Sequence, residues 1–471
     1  ISDQPKLTQK RSQFHRAIGT AEGHTLMLSF GDDRMANGFV LERYTEGLVF
    51  ENDRKFEVAN KQIVLKVFMA DSMLYWICAT KIKRSAIKVI VHSVSASLIG
   101  DISVTEIGTY NTGDIDIDQF EVASSPDKRR WVILGFGTAG QRTREALGTE
   151  VWMLRADVDG GEARSSFILT SERWSPADLT WKSVVLDDSG KVFAIYEDKD
   201  YGGTGLLGGH KQLNHFHWVK SGGDSLMRGD LVVEGDVLDA VAVLHTKTQA
   251  LQVFGYYNAG KGVGMDGYFI GEFGDDGQIA TSNHPFTESA AKQFMGLGSL
   301  KRNERPDNYY IRNVVALSNG GWLMLSEQFY ESRQMETYYV NGVPQTSSKL
   351  FYHYGDIAMQ YLQKDGTLDS LIMVRKTQVG AVNVAHLFGF GMYVCGSSIN
   401  LLYNDDEGEI NRIMHVKIDK SFKVERDWLF RNENTPGTIV PYEGKQTDYG
   451  LITLPIYRDK QWFWLQVFSN D

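Results

Sequence analysis

Glu150-Val151-Trp152-Met153-Leu154-Arg155-Ala156-Asp157 is an apolar, β-rich run that ends at an acidic turn and is followed by a further strand-like run. The same grammar returns about every 60 residues, in Gly38-Phe39-Val40-Leu41-Glu42-Arg43-Tyr44, Gly267-Tyr268-Phe269-Ile270-Gly271-Glu272-Phe273, Asp356-Ile357-Ala358-Met359-Gln360-Tyr361-Leu362 and Ile413-Met414-His415-Val416-Lys417-Ile418-Asp419. Aromatic and β-branched residues suit a pleated, half-buried surface, and no helical period interrupts the series. A four-strand unit repeated at this spacing predicts an all-β chain folded as a β-propeller.

Placing the third strand of each unit by its apolar alternation puts centres near Val40, Val89, Trp152, His217, Phe269, Met359, Met414 and Trp464. That predicts eight four-stranded blades in a single domain over 1–471, or seven if the chain ends share one blade. Second-strand runs precede most centres, at 25–30, 73–78, 131–135, 192–196, 251–257 and 321–327. Asp187-Asp188-Ser189-Gly190, Asp157-Val158-Asp159-Gly160, Asp275-Asp276-Gly277 and Lys364-Asp365-Gly366 carry the residue types that hairpin turns require. The last unit is short, so Lys6 to Phe14 is the expected donor of its missing outer strand, because an open edge invites aggregation. Stretches that break the spacing, Thr138 to Gly148, Lys199 to Asn214, Ser289 to Asp307 and Glu331 to Lys349, are expected to be long connections.

The chain has 471 residues, 47 of them Gly and only 9 Pro, as many twisted strands joined by tight turns require. A formal charge of −10 repels phosphate backbones, which argues against nucleic acid as a partner. No run reaches the ~18 apolar residues of a membrane helix, so no membrane insertion is expected. The chain opens on Ile1, the start expected of a processed, exported protein, and has no N-terminal Cys to carry a lipid. Cys78 and Cys395 lie in apolar strand runs and are expected to be buried thiols, not a disulfide.

Candidate chemistry reads poorly. Gly203-Thr204-Gly205-Leu206-Leu207-Gly208 has dinucleotide-loop spacing, but no helical period follows it, so it reads as a surface loop. His215 and His217 share a strand face, with His210 or Asp200 as a third ligand for a metal, yet they sit beside Trp218 and read as packing. Asp114, Asp116 and Asp118 put three carboxylates on one face but lack a cation-binding turn. Ser125-Pro126-Asp127-Lys128-Arg129-Arg130-Trp131 is a faint Asp-box without its Gly. Neither a Gly-x-Ser-x-Gly elbow, a Walker loop nor His-Glu-x-x-His occurs. No enzymatic activity, cofactor or metal is expected.

Three stretches carry a resemblance. Val314-Val315-Ala316-Leu317-Ser318-Asn319-Gly320-Gly321-Trp322-Leu323-Met324-Leu325-Ser326-Glu327-Gln328, Tyr352-His353-Tyr354-Gly355-Asp356-Ile357 and Asn400-Leu401-Leu402-Tyr403-Asn404-Asp405-Asp406 resemble exported β-propeller proteins of Bacteroidota. In size and lack of a lipidation Cys, the chain is similar to the plug subunit of the type 9 secretion translocon. The resemblance implies a non-enzymatic periplasmic or outer-membrane-associated protein that docks to an envelope partner and occludes the periplasmic end of a secretion channel. The alternative is a secreted carbohydrate-active propeller enzyme or glycan-binding protein, whose aromatics would stack sugars. For docking, the expected contacts are Tyr338, Tyr339 and the Asn341-Gly342 turn of a protruding hairpin, with Arg302 and Arg305 on the neighbouring loop.

Overall fold

The strand grammar resolves into eight antiparallel sheets in chain order. The computed structural model describes residues 14–469 apart from 31–34, 36, 37, 60, 61, 84, 85, 112–119, 139–148, 159–161, 170–178, 201–212, 223, 224, 246, 247, 249, 261, 262, 274–277, 299–303, 341, 342, 408, 409, 431–436, 459 and 460.

Blade 1 is β1 (Phe14–Ala21), β2 (His24–Phe30), β3 (Phe39–Thr45) and β4 (Phe50–Phe56). Blade 2 is β5 (Gln62–Ala70), β6 (Met73–Lys83), β7 (Ala86–Ser95) and β8 (Ser103–Asn111). Blade 3 is β9 (Glu121–Ser124), β10 (Arg130–Thr138), β11 (Thr149–Asp157) and β12 (Glu162–Leu169). Blade 4 is β13 (Leu179–Leu186), β14 (Val192–Asp200), β15 (Leu213–Gly222) and β16 (Ser225–Asp230). Blade 5 is β17 (Asp236–Leu244), β18 (Leu251–Asn258), β19 (Gly267–Phe273) and β20 (Ile279–Pro285), followed by helix α1 (Glu288–Met295). Blade 6 is β21 (Tyr309–Ala316), β22 (Trp322–Val340), β23 (Val343–Leu362) and β24 (Leu368–Val374), with β25 (Gln378–Ala381) added on β23. Blade 7 is β26 (Gly391–Cys395), β27 (Ser398–Glu407), β28 (Ile410–Ile418) and β29 (Val424–Trp428). In blade 8, β30 (Thr438–Ile439) and β31 (Lys445–Asp448) pair with successive halves of β32 (Leu451–Arg458), whose other edge takes β33 (Gln461–Phe468). Together β30 and β31 form one first strand, interrupted by a 3-10 turn at Pro441–Glu443.

All eight expected centres lie in third strands, and the count is eight blades, not seven. The first strands line the axis. β1 touches β5, β5 touches β9, β9 touches β13, β13 touches β17 and β17 touches β21, while β26 touches β31 and β31 returns to β1. Each neighbouring pair of blades shares an apolar cluster because most strands bury both faces. In the run Trp131-Val132-Ile133-Leu134, Trp131 and Ile133 pack on blade 2 while Val132 and Leu134 pack on blade 4. Leu401 and Leu402 likewise face blades 6 and 8. This is the alternation of a pleated strand buried on both sides.

Within a blade, glycine stands opposite some of the large third-strand aromatics. Gly135 pairs with Trp152, and a Cβ there would stand 2.5 Å from the indole. Gly255 opposite Phe269 would place one 2.2 Å from that ring. Ring closure joins blades 8 and 1. Trp464 is packed among Ala17, Met27, Tyr44 and Leu48, and its indole N–H donates to Glu42 Oε2 at 3.2 Å. Arg16 meets Glu443 at 2.5 Å and Thr20 Oγ1 donates to the Thr447 carbonyl at 2.9 Å. The expected outer-strand donor Lys6 to Phe14 lies outside the described residues except Phe14, which opens β1.

Two of the expected connections contain regular structure. The Ser289 to Asp307 stretch begins inside α1, where Thr287 caps the helix by accepting from Ala290 N at 3.2 Å and Gly296 ends it at φ 66°. Ala290 and Phe294, one turn apart, bury against blades 5 and 6. Glu331 to Lys349 is a continuous antiparallel ladder. Most of Thr138 to Gly148 and of Lys199 to Asn214 lies outside the described residues.

Cys78 is buried between blades 1 and 2, and burial pushes its thiol up to about 12. Cys395 is buried in blade 7, so no disulfide joins the two. At pH 8 Ellman's reagent is expected to label neither thiol within minutes in the native protein and both in denaturant. Rapid native labelling would show that these strands are not packed as described.

Candidate functional site

The blade-6 hairpin outgrows its sheet. β21 covers β22 only from Trp322 to Gln328, and β24 covers β23 only from Ile357, yet the ladder continues from Tyr330↔His353 to Val340↔Val343. Its lower part is stiffened by cross-strand rings, with Tyr330 stacked on His353 at 4.3 Å and Phe329 against Tyr354 at 4.9 Å. β25 adds a third strand there, from Phe351↔Ala381 to Tyr354↔Gln378. Above it the ribbon is polar, with Glu336–Lys349 at 2.6 Å and Tyr338 Oη donating to Gln345 at 3.2 Å. Apolar area is concentrated near the tip, where Met335 and Tyr339 are each 72% exposed, Val343 59% and Tyr338 47%. Asn341 and Gly342 lie outside the described residues, as does Arg302.

Arg305 faces a different task from the expected rim contact. Its Nε meets Asp266 Oδ1 at 2.5 Å, and its guanidinium lies over Gly260, where a Cβ would be 2.7 Å from Nη2. It thereby clamps the connection between β18 and β19.

The root of the hairpin is a buried charge cluster that the sequence reading missed. Glu327, fully buried in β22, binds Lys376 Nζ at 2.8 Å and Arg312 Nε at 3.1 Å, and accepts from Tyr442 Oη at 2.5 Å. Lys376 also donates to Gln378 Oε1 at 2.8 Å, whose amide donates to the Asn404 carbonyl at 2.6 Å. Arg312 stands about 6 Å from the ring centres of Phe329, Tyr354 and Tyr442. Tyr442 belongs to the 3-10 turn of blade 8, so the cluster ties blade 6 to blade 8 past blade 7. Burial pushes the Lys376 ammonium below the usual lysine range, opposed by Glu327. Burial and the Glu327 charge push the Tyr442 phenol up.

A repeated backbone device delivers these charges. First strands skip one residue of register at Ala17/Gly19, Val64/Lys66, Trp181/Ser183, Val237/Asp239 and Ile311/Asn313. Such bulges re-aim a side chain. The residues skipped in blades 4 and 6 are Lys182 and Arg312. Each pairs with an acid of its second strand at the same sequence separation, Lys182 with Glu197 at 2.7 Å and Arg312 with Glu327 at 3.1 Å. Asp239 of blade 5 bridges the two blades: its Oδ2 accepts from Ile311 N at 2.7 Å, and with Glu197 it holds Lys182 above the usual range despite burial. The acid–base spacing was visible in the chain, but without the bulge nothing marked it as a pair.

The other candidates scatter. His217 is buried, stacked on Tyr196 at 5.0 Å and 2.8 Å from Asp230, whereas His215 is exposed. Among the described residues no group of three His, Cys, Asp or Glu is arranged to hold a metal ion. The 203–208 glycine loop, His210 and Asp114, Asp116 and Asp118 lie outside them. Asp200 ends β14. Ser125 to Trp131 spans the β9–β10 turn and the start of β10, the turn being closed by Ser125 Oγ donating to Asp127 at 2.5 Å and by Arg129 N donating to Asp127 at 3.0 Å. Asp187 and Asp419 close similar turns, each accepting from a Ser two residues on and a Lys N–H four residues on.

Removing one partner of a buried ion pair strands the other charge, which costs about 3–5 kcal/mol. Lys376→Met is therefore expected to lower stability by about that much in urea denaturation, and Glu327→Leu with Lys376→Met by less than the sum of the single changes. Lys349→Ala, in the exposed Glu336 pair, is expected to cost under about 1 kcal/mol. A Lys376→Met protein as stable as the parent would show that the cluster does not hold the hairpin root.

No protein-family model matches the chain, and no curated protein matches its sequence. Solved structures similar to it include a prolyl endopeptidase, at 10% identity over 88% of this chain and 55% of that one, with a TM-score of 0.37. The polysaccharide lyase Uly1 is 11% identical over 100% of this chain and 94% of that one, with a TM-score of 0.42. Sqt1 from Chaetomium thermophilum is 8% identical over 98% and 100%, with a TM-score of 0.43. The chain spans about half the length of the prolyl endopeptidase. At these identities the neighbours assign no activity to it.

Proposed function

We propose that this propeller is a docking module of the bacterial envelope that binds a protein partner through the blade-6 hairpin. On this reading the chain is exported, and the partner is an outer-membrane secretion channel whose periplasmic end the ring occludes. The observation that carries the proposal is the hairpin itself: exposed Met335, Tyr338, Tyr339 and Val343 near the tip of a ribbon whose root is fixed by buried charges. Aromatic and Met side chains on a pre-ordered element give contact area at little cost in conformational freedom, as interface anchors do. The buried second-strand carboxylates Glu327 and Glu197 are held by Lys376, Arg312 and Lys182, and the buried first-strand Asp239 accepts from Ile311 N, which suits a scaffold better than a site of proton transfer. The channel partner rests on the resemblance to exported propellers of Bacteroidota.

The side chains of 336–339, 343 and 344 are exposed, so on deleting 336–344 the circular dichroism spectrum and melting temperature are expected to match the parent. Recovery of an outer-membrane channel protein from envelope extract is expected to fall at least tenfold, and Tyr338→Ser with Tyr339→Ser to reproduce most of that loss. Unchanged recovery would remove the hairpin from the interface. Failure of the intact chain to retain any envelope protein would overturn the docking role.

A further inference from the structure

The end of the ring opposite the hairpin carries a second polar assembly. There the ends of β1, β5 and β31 and the β9–β10 turn border an open cleft of about 360 Å³ whose lining includes Gly19, Asp71, Asp127, Lys128, Lys445 and Thr447. Lys445 Nζ donates to the Ile18 carbonyl, close above Gly19, where a Cβ would stand 3.6 Å away. Lys66, on the neighbouring first strand, donates to the Val122 carbonyl at 2.7 Å. Lys128, exposed in the turn, reaches Ser124 Oγ at 3.3 Å.

Four carboxylates at this end, including Asp71 and Asp127 of the cleft wall, face cations other than Lys128 and Lys445. Glu443 holds Arg16 at 2.5 Å, Asp71 holds Arg129 at 3.2 Å and Asp127 lies 3.7 Å from Arg130, while Glu121 faces Lys66. Lys128 and Lys445 have no carboxylate within ion-pair distance among the described residues. The crowding is felt in the titration of the group. Burial, then Lys128, Arg16 and Lys445, hold Lys66 down to about 8 against the pull of Glu121, and burial, then Lys128 and Arg16, lower Lys445.

We propose that this mouth is a binding site for a small oxyanion, phosphate or carboxylate, held by Lys445 and Lys128 with Lys66 behind them. An ammonium has three donors, and one donor of Lys445 is used by Ile18. The remaining donors make charge-assisted bonds to an anion, which also relieves the repulsion among the lysines. Water occupies about 30 Å³ per molecule, so the cleft is large enough for a phosphate or a short carboxylate together with solvent.

The full chain, held at constant ionic strength with chloride, is to be melted against rising inorganic phosphate and, separately, acetate. A ligand that binds only the folded state raises the melting temperature with a saturating dependence on its concentration. A saturating rise is expected with at least one of the two, and which anion gives it distinguishes phosphate from carboxylate. Lys128→Gln, in an exposed turn, and Lys445→Met are each expected to weaken half-saturation at least tenfold. Lys128→Gln alone decides should Lys445→Met not fold. A second readout is acetylation of Lys66 followed by mass spectrometry, expected to slow at least threefold when the effective anion is present. No saturating rise with either anion, or a rise unchanged in Lys128→Gln, would overturn the proposal.

Discussion

Every blade here has two apolar faces, and only a closed ring covers them all. Seven interfaces form between sheets that follow one another in sequence, but the eighth joins the two ends of the chain. That interface is assembled by packing Trp464 against Ala17, Met27, Tyr44 and Leu48, with polar links from Arg16 and Thr20 to Glu443 and Thr447. Fully burying a large apolar side chain is worth roughly 1.5–3 kcal/mol, so no single contact secures the seam. The rest of the ring depends on it because the inner edge of each blade is set by its two neighbours.

Closing eight sheets around an axis crowds eight first strands together, and five of them carry a bulge among the described residues. The bulges answer this crowding. Each sacrifices ladder regularity to turn a residue, and where that residue is Lys182 or Arg312 the new direction is matched by an acid on the adjacent strand. Buried charges of this kind are costly unless their partners are fixed. The cluster around Glu327 therefore works as a lock on geometry, linking blade 6 to a turn of blade 8 that is distant in sequence.

What the chain disclosed in advance was period. Val89, His217 and Trp464 fell in third strands because a strand buried on both faces reads as a compact apolar run bounded by turns, and eight such runs repeat. Helix α1 was hidden by its brevity, although Thr287 and Gly296 mark its ends and Ala290 and Phe294 its buried face. The ribbon from Glu331 to Lys349 looked irregular because it exceeds the repeat and has too little apolar alternation to announce a strand. Its protrusion and its tyrosines were legible; its regularity was not. Glu327, Lys376 and Tyr442 could not be grouped from sequence, since their meeting depends on ring closure and not on any local pattern.

The hairpin has a mechanical meaning as well as a chemical one. At ~3.4 Å per residue, the ladder from Tyr330↔His353 to Val340↔Val343 reaches roughly 35 Å. It is a lever arm much longer than the few ångströms between Glu327 and its partners at the fulcrum. A lateral pull on Tyr339 is thus multiplied as torque on the contacts among Glu327, Arg312, Lys376 and Tyr442. Load at the tip is carried past its own blade into the blade next to the seam, where the ring is joined by packing between the two ends of the chain.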